Sequence, residues 1–380
     1  MRHRILFFLA VSGLLGGFAS GADWIPLKQG AAPGSTPTVR VLSSTTQAIQ
    51  VEVTVPGFWA EKTSYGWRVR LPQGLPTMDE GRPELSFLAC TLALPNQALP
   101  AVNLRSATWV LPRSLKVRMA PKPELEGEHH VPPQPAAPGL AYPSAQVETA
   151  HHGLWRTLPL VTLRIHPFQA KGDGTLVGVA ARMVFDVNPA NPPASWPSVV
   201  VPEEFLALAK STVANFNFLP STTNLPVEPM ASTTEYLVIA NSSLASGVTN
   251  LINWRKRQGY KTELVTTNST SATTIKSYIQ SRFSGGHLKY VVLVGDYAQI
   301  PWYYWSGDRS DMWYACLTGG SNPDLYPDVG LGRLSGTSAS QIAHQVAKIL
   351  KYEQSPPSGS WFTKTILAAH RQGAPGKYVG

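Results

Sequence analysis

The sequence predicts a β-rich N-terminal domain of the β-sandwich kind, followed by an α/β domain built on a parallel sheet. Apolar and polar residues alternate with period two in several segments between residues 38 and 187, as in strands with one buried face. From Glu235 onward, short apolar runs alternate with segments of helical periodicity. This alternation is typical of β-α-β units with right-handed crossovers.

Length and composition set the limits of this interpretation. The 380 residues are enough for two ordinary domains. An apolar fraction of 43% excludes a disordered chain, while 14% charged residues with 33 Pro and 31 Gly argue against a coiled coil or a helical bundle. Two cysteines exclude a disulfide-stapled scaffold and a four-cysteine zinc module.

Residues 1–22 are predicted to be a secretory signal peptide. Arg2 and Arg4 form a basic head, residues 5–18 are apolar, and small residues follow up to Ala22. The apolar stretch is shorter than the ~20 residues that a membrane-spanning helix needs. We therefore expect a secreted protein, extracellular or at the cell surface, without a membrane span.

The formal net charge of +9 does not indicate a nucleic-acid partner. The densest basic group, Arg255–Arg257, lies on a predicted helix, where a solvated face is the simplest interpretation. No basic stripe, aromatic platform or DNA-binding motif accompanies it, so no nucleic acid is expected among the partners.

The first domain is predicted to span residues 23–210. Its predicted strands are 49–55, 67–71, 85–94, 158–165 and 176–187. The Pro-rich stretch 131–143 is expected to be an extended surface loop, and a second one, 188–202, leads to a short helix at 203–210. Residues 211–234, rich in Ser, Thr, Pro and Asn, are predicted to be an inter-domain linker.

The second domain is predicted to span residues 235–380. Its predicted strands are 236–240, 262–266, 290–294 and 364–369, and its predicted helices are 244–255, 271–283 and 338–353. A parallel sheet should have both faces covered, but no helix follows the last predicted strand. We therefore expect this domain to be incomplete.

Three aspartates are candidate metal ligands. Asp296 follows predicted strand 290–294, at the carboxyl edge where open parallel sheets bind ligands. Asp324 and Asp328 lie four residues apart in a loop. With loop carbonyls, the three carboxylates would supply the hard oxygen ligands that Ca²⁺ prefers. Aspartates in loops more commonly cap turns, so both interpretations stay open.

Other candidate groups give weaker signals. The glycines of Gly330-x-Gly332-x-x-x-Gly336 are spaced wrongly for a dinucleotide motif and are expected in tight turns. The pairs His129-His130 and His151-His152 could bind zinc or copper, but histidines in exposed loops are more commonly only polar.

Cys316 is interpreted as a buried structural cysteine, because no histidine lies near it in sequence to act as a base. A disulfide with Cys90 stays open because the expected compartment is oxidising. Ser-His-Asp catalysis has no support, because the chain has no Gly-x-Ser-x-Gly motif.

An ordered set of motifs resembles the first half of the catalytic domain of gingipain-type cysteine peptidases. The set is Tyr236-Leu-Val-Ile-Ala240, residues 254–262 (WRKRQGYKT), residues 290–296 (YVVLVGD), Ile300-Pro301, Ser310-Asp311 with Tyr314, Gly332-Arg333, and residues 348–353 (KILKYE). Residues 38–187 resemble the β-sandwich propeptide of that family, through Arg164-Ile-His-Pro167 and Gly174-Thr-Leu-Val177.

The resemblance implies a caspase-like α/β fold that hydrolyses peptide bonds with a His/Cys dyad. In the family the histidine belongs to a His-Gly motif after a later strand, and the cysteine follows the next strand. Both are expected beyond Gly380, so no catalytic residue is assigned and the chain alone is expected to be inert. The implied partners are protein or peptide substrates, and the propeptide packing on its own catalytic domain.

The resemblance also implies a structural Ca²⁺ ion. Its ligands would be the carboxylates of Asp296, Asp324 and Asp328 with the carbonyls of Tyr326 and Thr318. Family members that cleave after Arg or Lys can release their own propeptides, but residues 211–235 contain neither. Either the specificity differs, another protease cleaves, or the segments stay joined.

Two other functions remain open at this point. A secreted, non-catalytic adhesion or sorting module could have the same two domains. A small-ligand domain of the flavodoxin kind would use Asp296 at the switch point of the sheet to bind a nucleotide or phosphate.

Overall fold

The computed structural model describes residues 21–111, 113–120, 134–137, 139–197, 199–222, 234–283, 286–305, 308–318 and 324–364. These residues form two compact units. The first contains the described residues up to His152 and those of 159–222, and the second contains Gly153–Leu158 and those from Thr234 onward. The apolar core of the predicted signal peptide, the pair His129-His130 and residues 223–233 of the predicted linker lie outside the described residues.

The first unit consists mostly of antiparallel strands. They are β1 (Ala22–Pro26), β2 (Thr38–Ser44), β3 (Ile49–Thr54), β4 (Gly57–Thr63), β5 (Gly66–Arg70), β6 (Leu75–Pro76), β7 (Ser86–Ala93), β8 (Ala101–Val110), β9 (Ala141–Tyr142), β10 (Val147–Trp155), β11 (Leu158–Ile165), β12 (Phe168–Lys171), β13 (Leu176–Asn188), β14 (Val199–Val200) and β15 (Ser221–Thr222). Helix α1 (Glu203–Thr212) and a 3₁₀ turn (Phe216–Phe218) lie between β14 and β15.

Three sheets share one apolar core in this unit. Their strand orders are β1-β4-β5, β10-β11-β7-β6 and β2-β3-β13-β12-β9, with β8 also paired to β13. Val51, Phe58, Leu92 and Phe185, which come from all three sheets, are fully buried in the same cluster. Alternating strand residues from facing sheets fill this core, as in a β-sandwich. The predicted β-rich, sandwich-like fold of the N-terminal part is confirmed.

The second unit is built on a parallel sheet. Its strands are β16 (Tyr236–Asn241), β17 (Thr262–Thr267), β18 (Tyr290–Val294) and β21 (Gly330–Leu334), and its helices are α2 (Thr249–Arg257), α3 (Ala272–Phe283) and α4 (Ala339–Gln354). The short antiparallel strands β19 (Tyr303–Trp305) and β20 (Asp308–Ser310) pair with each other. The sheet has the order β17-β16-β18-β21, and its strands pair in parallel.

Helices cover both faces of the parallel sheet. Alternate residues of β16 point to opposite faces: Val238 packs in a cluster with Ile342 of α4, and Ile239 packs in another with Ile279 of α3. Ser338 caps α4 by accepting a hydrogen bond from the amide of Gln341. The predicted parallel α/β fold is confirmed, and predicted strand 364–369 lies outside the described residues except for Lys364.

The expectation of tight turns at Gly330 and Gly332 was wrong, because both glycines lie in β21. A Cβ on Gly330 would come within 2.9 Å of the Tyr290 ring on the neighbouring strand, so the missing side chain permits this close strand pairing. Within the described ranges, no helix has the length and apolar character needed to span a membrane.

Candidate functional site

The loop that precedes β21 holds two buried carboxylates. Asp324 is 6% exposed and Asp328 is 1% exposed. Asp328 Oδ2 accepts hydrogen bonds from the amides of Leu317 (2.6 Å) and Thr318 (2.7 Å), and its Oδ1 accepts one from the Thr318 hydroxyl (2.8 Å). The amide of Tyr326 donates to Asp324 Oδ1 at 3.0 Å. We call residues 317–318 and 324–328 the acidic loop.

Residues 153–158 comprise the end of β10, a two-residue turn and the first residue of β11, and they contact the acidic loop. We call them the 153–158 turn. The amide of Leu154 donates to Asp324 Oδ2 at 3.1 Å, and the amide of Arg156 donates to Asp328 Oδ1. Gly153 lies so close that a Cβ there would be 2.5 Å from Asp324 Oδ1. Only glycine permits this approach without a shift of the turn or the loop.

The side chain of Arg156 is buried within the second unit. Its guanidinium donates to the carbonyls of Asp328 (2.6 Å), Leu288 (3.2 Å) and Gly286, and lies 5.0 Å from the centre of the Phe283 ring. The residue is 6% exposed. Carbonyl dipoles and an aromatic face therefore replace water around this cation.

The acidic loop perturbs the titratable groups near it. Burial raises the pKa of the Asp324 carboxyl to about 6, and the neighbouring Asp328 charge acts in the same direction, against the amides of Tyr326 and Leu154. Lys276 lies with its Nζ 4.1 Å from the centre of the Trp313 ring. Burial lowers the pKa of Lys276, and the nearby acidic groups oppose that effect.

The two cysteines are buried free thiols, so the structure does not pair them. Burial raises the pKa of both thiols to about 12, and the charges of Asp324 and Asp328 add to the effect at Cys316. A thiol with such a pKa is protonated at neutral pH and is a poor nucleophile. The interpretation of Cys316 as a structural cysteine agrees with its burial.

Asp296 lies at the other edge of the sheet from the acidic loop. Its Oδ1 accepts from the amide of Tyr297 (2.8 Å) and the hydroxyl of Ser335 (3.2 Å), next to the carboxyl end of β21. Asp324 and Asp328 precede the start of β21, so the strand, about 13 Å long at ~3.3 Å per residue, separates them from Asp296. The predicted ligand set therefore occupies two places, with Thr318 and Tyr326 on the acidic loop.

Among the described residues, no three His, Cys, Asp or Glu side chains are grouped closely enough to hold a metal ion. Sequence reasoning missed Gly153 and Arg156, because the turn has no Asn-Gly or Asp-Gly signature and its residues bind far from it in sequence. Calcium binding itself stays a prediction.

Four of the resemblance motifs meet at Arg333, at the carboxyl edge of the sheet. Its guanidinium makes two hydrogen bonds of 2.6 Å to the Asp311 carboxylate. Its Nη1 donates at 2.8 Å to the carbonyls of both Gly295 and Ile300. Arg333 of β21 thus connects the loop after β18, which carries Gly295 and Ile300, to Asp311 after β20. The four motifs that contain these residues are therefore in contact in the fold.

Comparison with known proteins agrees with this convergence. Residues 230–377 match the model of peptidase family C25. The resemblance to the gingipains is thereby confirmed. The chain is 24% identical over 392 residues to gingipain R2 of Porphyromonas gingivalis, covering 98% of this chain and 51% of gingipain R2. It is 25% identical over 146 residues to gingipain R1 of the same organism, covering 37% of this chain and 14% of that protein.

The chain therefore spans about half the length of gingipain R2. A solved complex of the pro- and mature domains of RgpB from P. gingivalis gives a TM-score of 0.39 and 18% identity, over 47% of this chain and 97% of that one. A structure of gingipain K from the same organism gives a TM-score of 0.35 and 20% identity, over 45% of this chain and 99% of that one. The fold is assigned from the strand order described above and not from these TM-scores.

Proposed function

We propose that this chain is part of a secreted cysteine endopeptidase zymogen. Residues 23–210 would form the propeptide, and residues 235–380 would belong to the peptidase domain. The observation that carries the proposal is the match of residues 230–377 to family C25, together with the meeting of the family motifs at Arg333. The reaction would be attack of a thiolate on a peptide carbonyl, assisted by an imidazole and by donors to the oxyanion.

We propose that neither Cys90 nor Cys316 is the catalytic nucleophile. Cys90 and Cys316 are both buried, with pKa values near 12, so neither thiol is activated. A nucleophilic cysteine needs a lowered pKa or a base within hydrogen-bond reach, and a position that substrate can reach. Within the described part of the chain, the thiols are therefore structural.

The proposed substrates are proteins or peptides, and the proposed intramolecular partner of the peptidase region is the propeptide region. Residues 211–235 contain no Lys or Arg. We therefore propose that any cleavage within residues 211–235 that releases the propeptide occurs after a residue other than Lys or Arg.

Calcium was expected at Asp296, Asp324 and Asp328 with the carbonyls of Tyr326 and Thr318, and it remains a proposal that rests on the family resemblance. The Asp324 and Asp328 carboxylates, with the carbonyls of Tyr326 and Thr318, are the hard oxygen donors that would hold the ion. Their oxygens accept hydrogen bonds from backbone amides, and a carboxylate oxygen that accepts such a bond keeps a lone pair for a cation. No step of the proposed function depends on calcium.

The test is hydrolysis of a protein substrate by the whole natural product that contains these residues, before and after loss of the propeptide. We expect endopeptidase activity only after that loss, and we expect iodoacetamide to abolish it. Absence of thiol-dependent hydrolysis in both forms would contradict the proposal and favour the non-catalytic adhesion module.

A further inference from the structure

We infer that the first unit contains a binding site for a carboxylate at the guanidinium of Arg68. The site lies in a group of three arginines and two glutamates, which we call the arginine cluster: Arg68, Arg70, Arg118, Glu61 and Glu84. All of them belong to the first unit, so the inference does not depend on the peptidase proposal.

Two arginines of the cluster each have a carboxylate of their own. Arg118 and Glu84 are both buried, and Nε and Nη2 of the arginine donate to the two carboxylate oxygens at 2.9 Å. Arg70 Nη2 donates to Glu61 Oε2 at 2.9 Å. These charge-assisted hydrogen bonds pair each of the two guanidiniums with one carboxylate.

Arg68 is the arginine without such a pair. Its Nε is buried and has no hydrogen-bond partner among the described residues. The carboxylate oxygens that face it are Glu84 Oε1, 3.4 Å from Nε, and Glu61 Oε2, 3.7 Å from Nη1. Both glutamates already accept hydrogen bonds from the other two arginines, so the cluster holds three cations, two anions and one positive charge in excess.

The excess charge is partly removed from water. The Arg68 side chain is only 16% exposed, and burial together with the charge of Arg118 lowers its pKa. Arginine stays protonated at neutral pH even so, and a partly desolvated cation without a partner is unfavourable. A third carboxylate would offset this cost, because its two oxygens match the planar fork of guanidinium donors.

Backbone pairing fixes the cluster before any ligand binds. Glu61 of β4 and Arg68 of β5 are direct partners in the antiparallel register. The amide of Arg118 donates to the carbonyl of Trp67 at 2.9 Å, and the amide of Glu84 donates to the carbonyl of Arg118 at 2.8 Å. An anion would therefore meet guanidiniums that are already in place, which keeps the entropy cost of binding small.

The test is native-state hydrogen exchange on the full chain with sodium acetate as the probe. The amides of Val51 and Val53 report opening of the first unit, because β3 lies between β2 and β13 and both side chains are in the core. For a four-atom ligand we expect a dissociation constant on the order of 10 mM. Acetate at about 100 mM should then slow exchange about tenfold relative to sodium chloride at the same concentration and pH.

Two variants connect the effect to Arg68. Arg68→Met should remove the acetate effect, and without acetate it should leave exchange unchanged or slower, because the excess cation is gone. The matched control is Arg40→Met in the same unit. Arg40 is 72% exposed and lies 3.8 Å from Glu52, so this variant should keep the full acetate effect.

Two short peptides identify the source of the carboxylate. Blocked Ala-Glu-Ala carries the carboxylate on a polypeptide side chain, and blocked Ala-Gln-Ala is its uncharged control, which should have no effect. Slower exchange with the glutamate peptide than with acetate at the same concentration assigns the site to an acidic side chain of a polypeptide. Equal or faster exchange assigns it to a free small carboxylate.

Two results would overturn the inference. One is equal protection of the Val51 and Val53 amides by acetate and by chloride, which would show an effect of ionic strength alone. The other is an acetate effect of wild-type size in folded Arg68→Met. Either result would show that the excess charge at Arg68 is accommodated without a ligand.

Discussion

Replacement of Asp328 by asparagine is expected to be the most destabilising isosteric change at the acidic loop. Oδ2 accepts from two amides, those of Leu317 and Thr318, and Oδ1 accepts from the Thr318 hydroxyl and the Arg156 amide. An asparagine keeps one oxygen and turns an NH₂ group toward the donors at the other position. In either rotamer about two hydrogen bonds to a charged acceptor are lost.

The magnitude follows from these contacts. A hydrogen bond to a charged group contributes about 1.5–3 kcal/mol, so Asp328→Asn is expected to cost about 3–6 kcal/mol. That is a large part of the ~5–15 kcal/mol that stabilises an ordinary domain. The Arg156 donor is buried and Leu317 and Thr318 are half-buried, so water can replace the lost acceptor only in part.

The assay is native-state hydrogen exchange of the β18 amides, Val291–Val294, which reports opening of the parallel sheet separately from the first unit. The matched control is Asp296→Asn. Asp296 uses Oδ1 for both the Tyr297 and Ser335 contacts, so the amide oxygen can keep them and the expected loss is below about 1 kcal/mol. The reasoning is refuted if Asp328→Asn costs less than about 1 kcal/mol, or if both variants cost the same.

Three further predictions concern other groups. Burial lowers the pKa of His166 below its usual 6.5, against the hydrogen bond to the Glu148 carboxylate, so the neutral imidazole stabilises the first unit above that pH and this stability is lost as pH falls. His166→Gln should remove the slope from the unfolding free energy of that unit between about pH 7 and 5, and an unchanged slope would contradict the assignment. Because both thiols are buried with pKa values near 12, Cys90 and Cys316 should resist iodoacetamide in the folded chain and react fully in urea, and rapid labelling of either without denaturant would refute this. Glu353→Gln should cost about 1.5–3 kcal/mol in the second unit by leaving the half-buried Arg255 without its carboxylate, whereas Arg255→Met with Glu353→Gln should cost less; equal losses in urea unfolding would argue against a coupled pair.

Elements with a strong apolar pattern could be predicted from the sequence. Strand β18 was predicted because its five residues are all apolar or aromatic and helices cover both faces of its sheet. Helix α4 was predicted with its Ser338 cap, because the cap and the apolar stripe are both local signals. In contrast, β8 is exposed along most of its length and carries no alternation of buried and exposed residues.

The site was predicted only in part, and the reason is one missed strand. Strand β21 contains two glycines, which were interpreted as tight turns, so Asp324 and Asp328 were grouped with Asp296 as ligands of one ion without a strand between them. Because residues 330–334 form a strand, Asp324 and Asp328 lie before its start, at the amino edge of the sheet. Arg156 could not be predicted, since its partners lie more than a hundred residues later and no local pattern connects them.

Peptide hydrolysis by the purified 380-residue chain tests the central claim most directly. The claim is the proposal that these residues are part of a cysteine peptidase whose nucleophile is neither Cys90 nor Cys316. Incubated with a mixed library of peptides under reducing conditions, the chain is expected to give no cleavage that iodoacetamide inhibits, and Cys316→Ala is expected to behave identically. Thiol-dependent cleavage that disappears in Cys316→Ala would contradict the account.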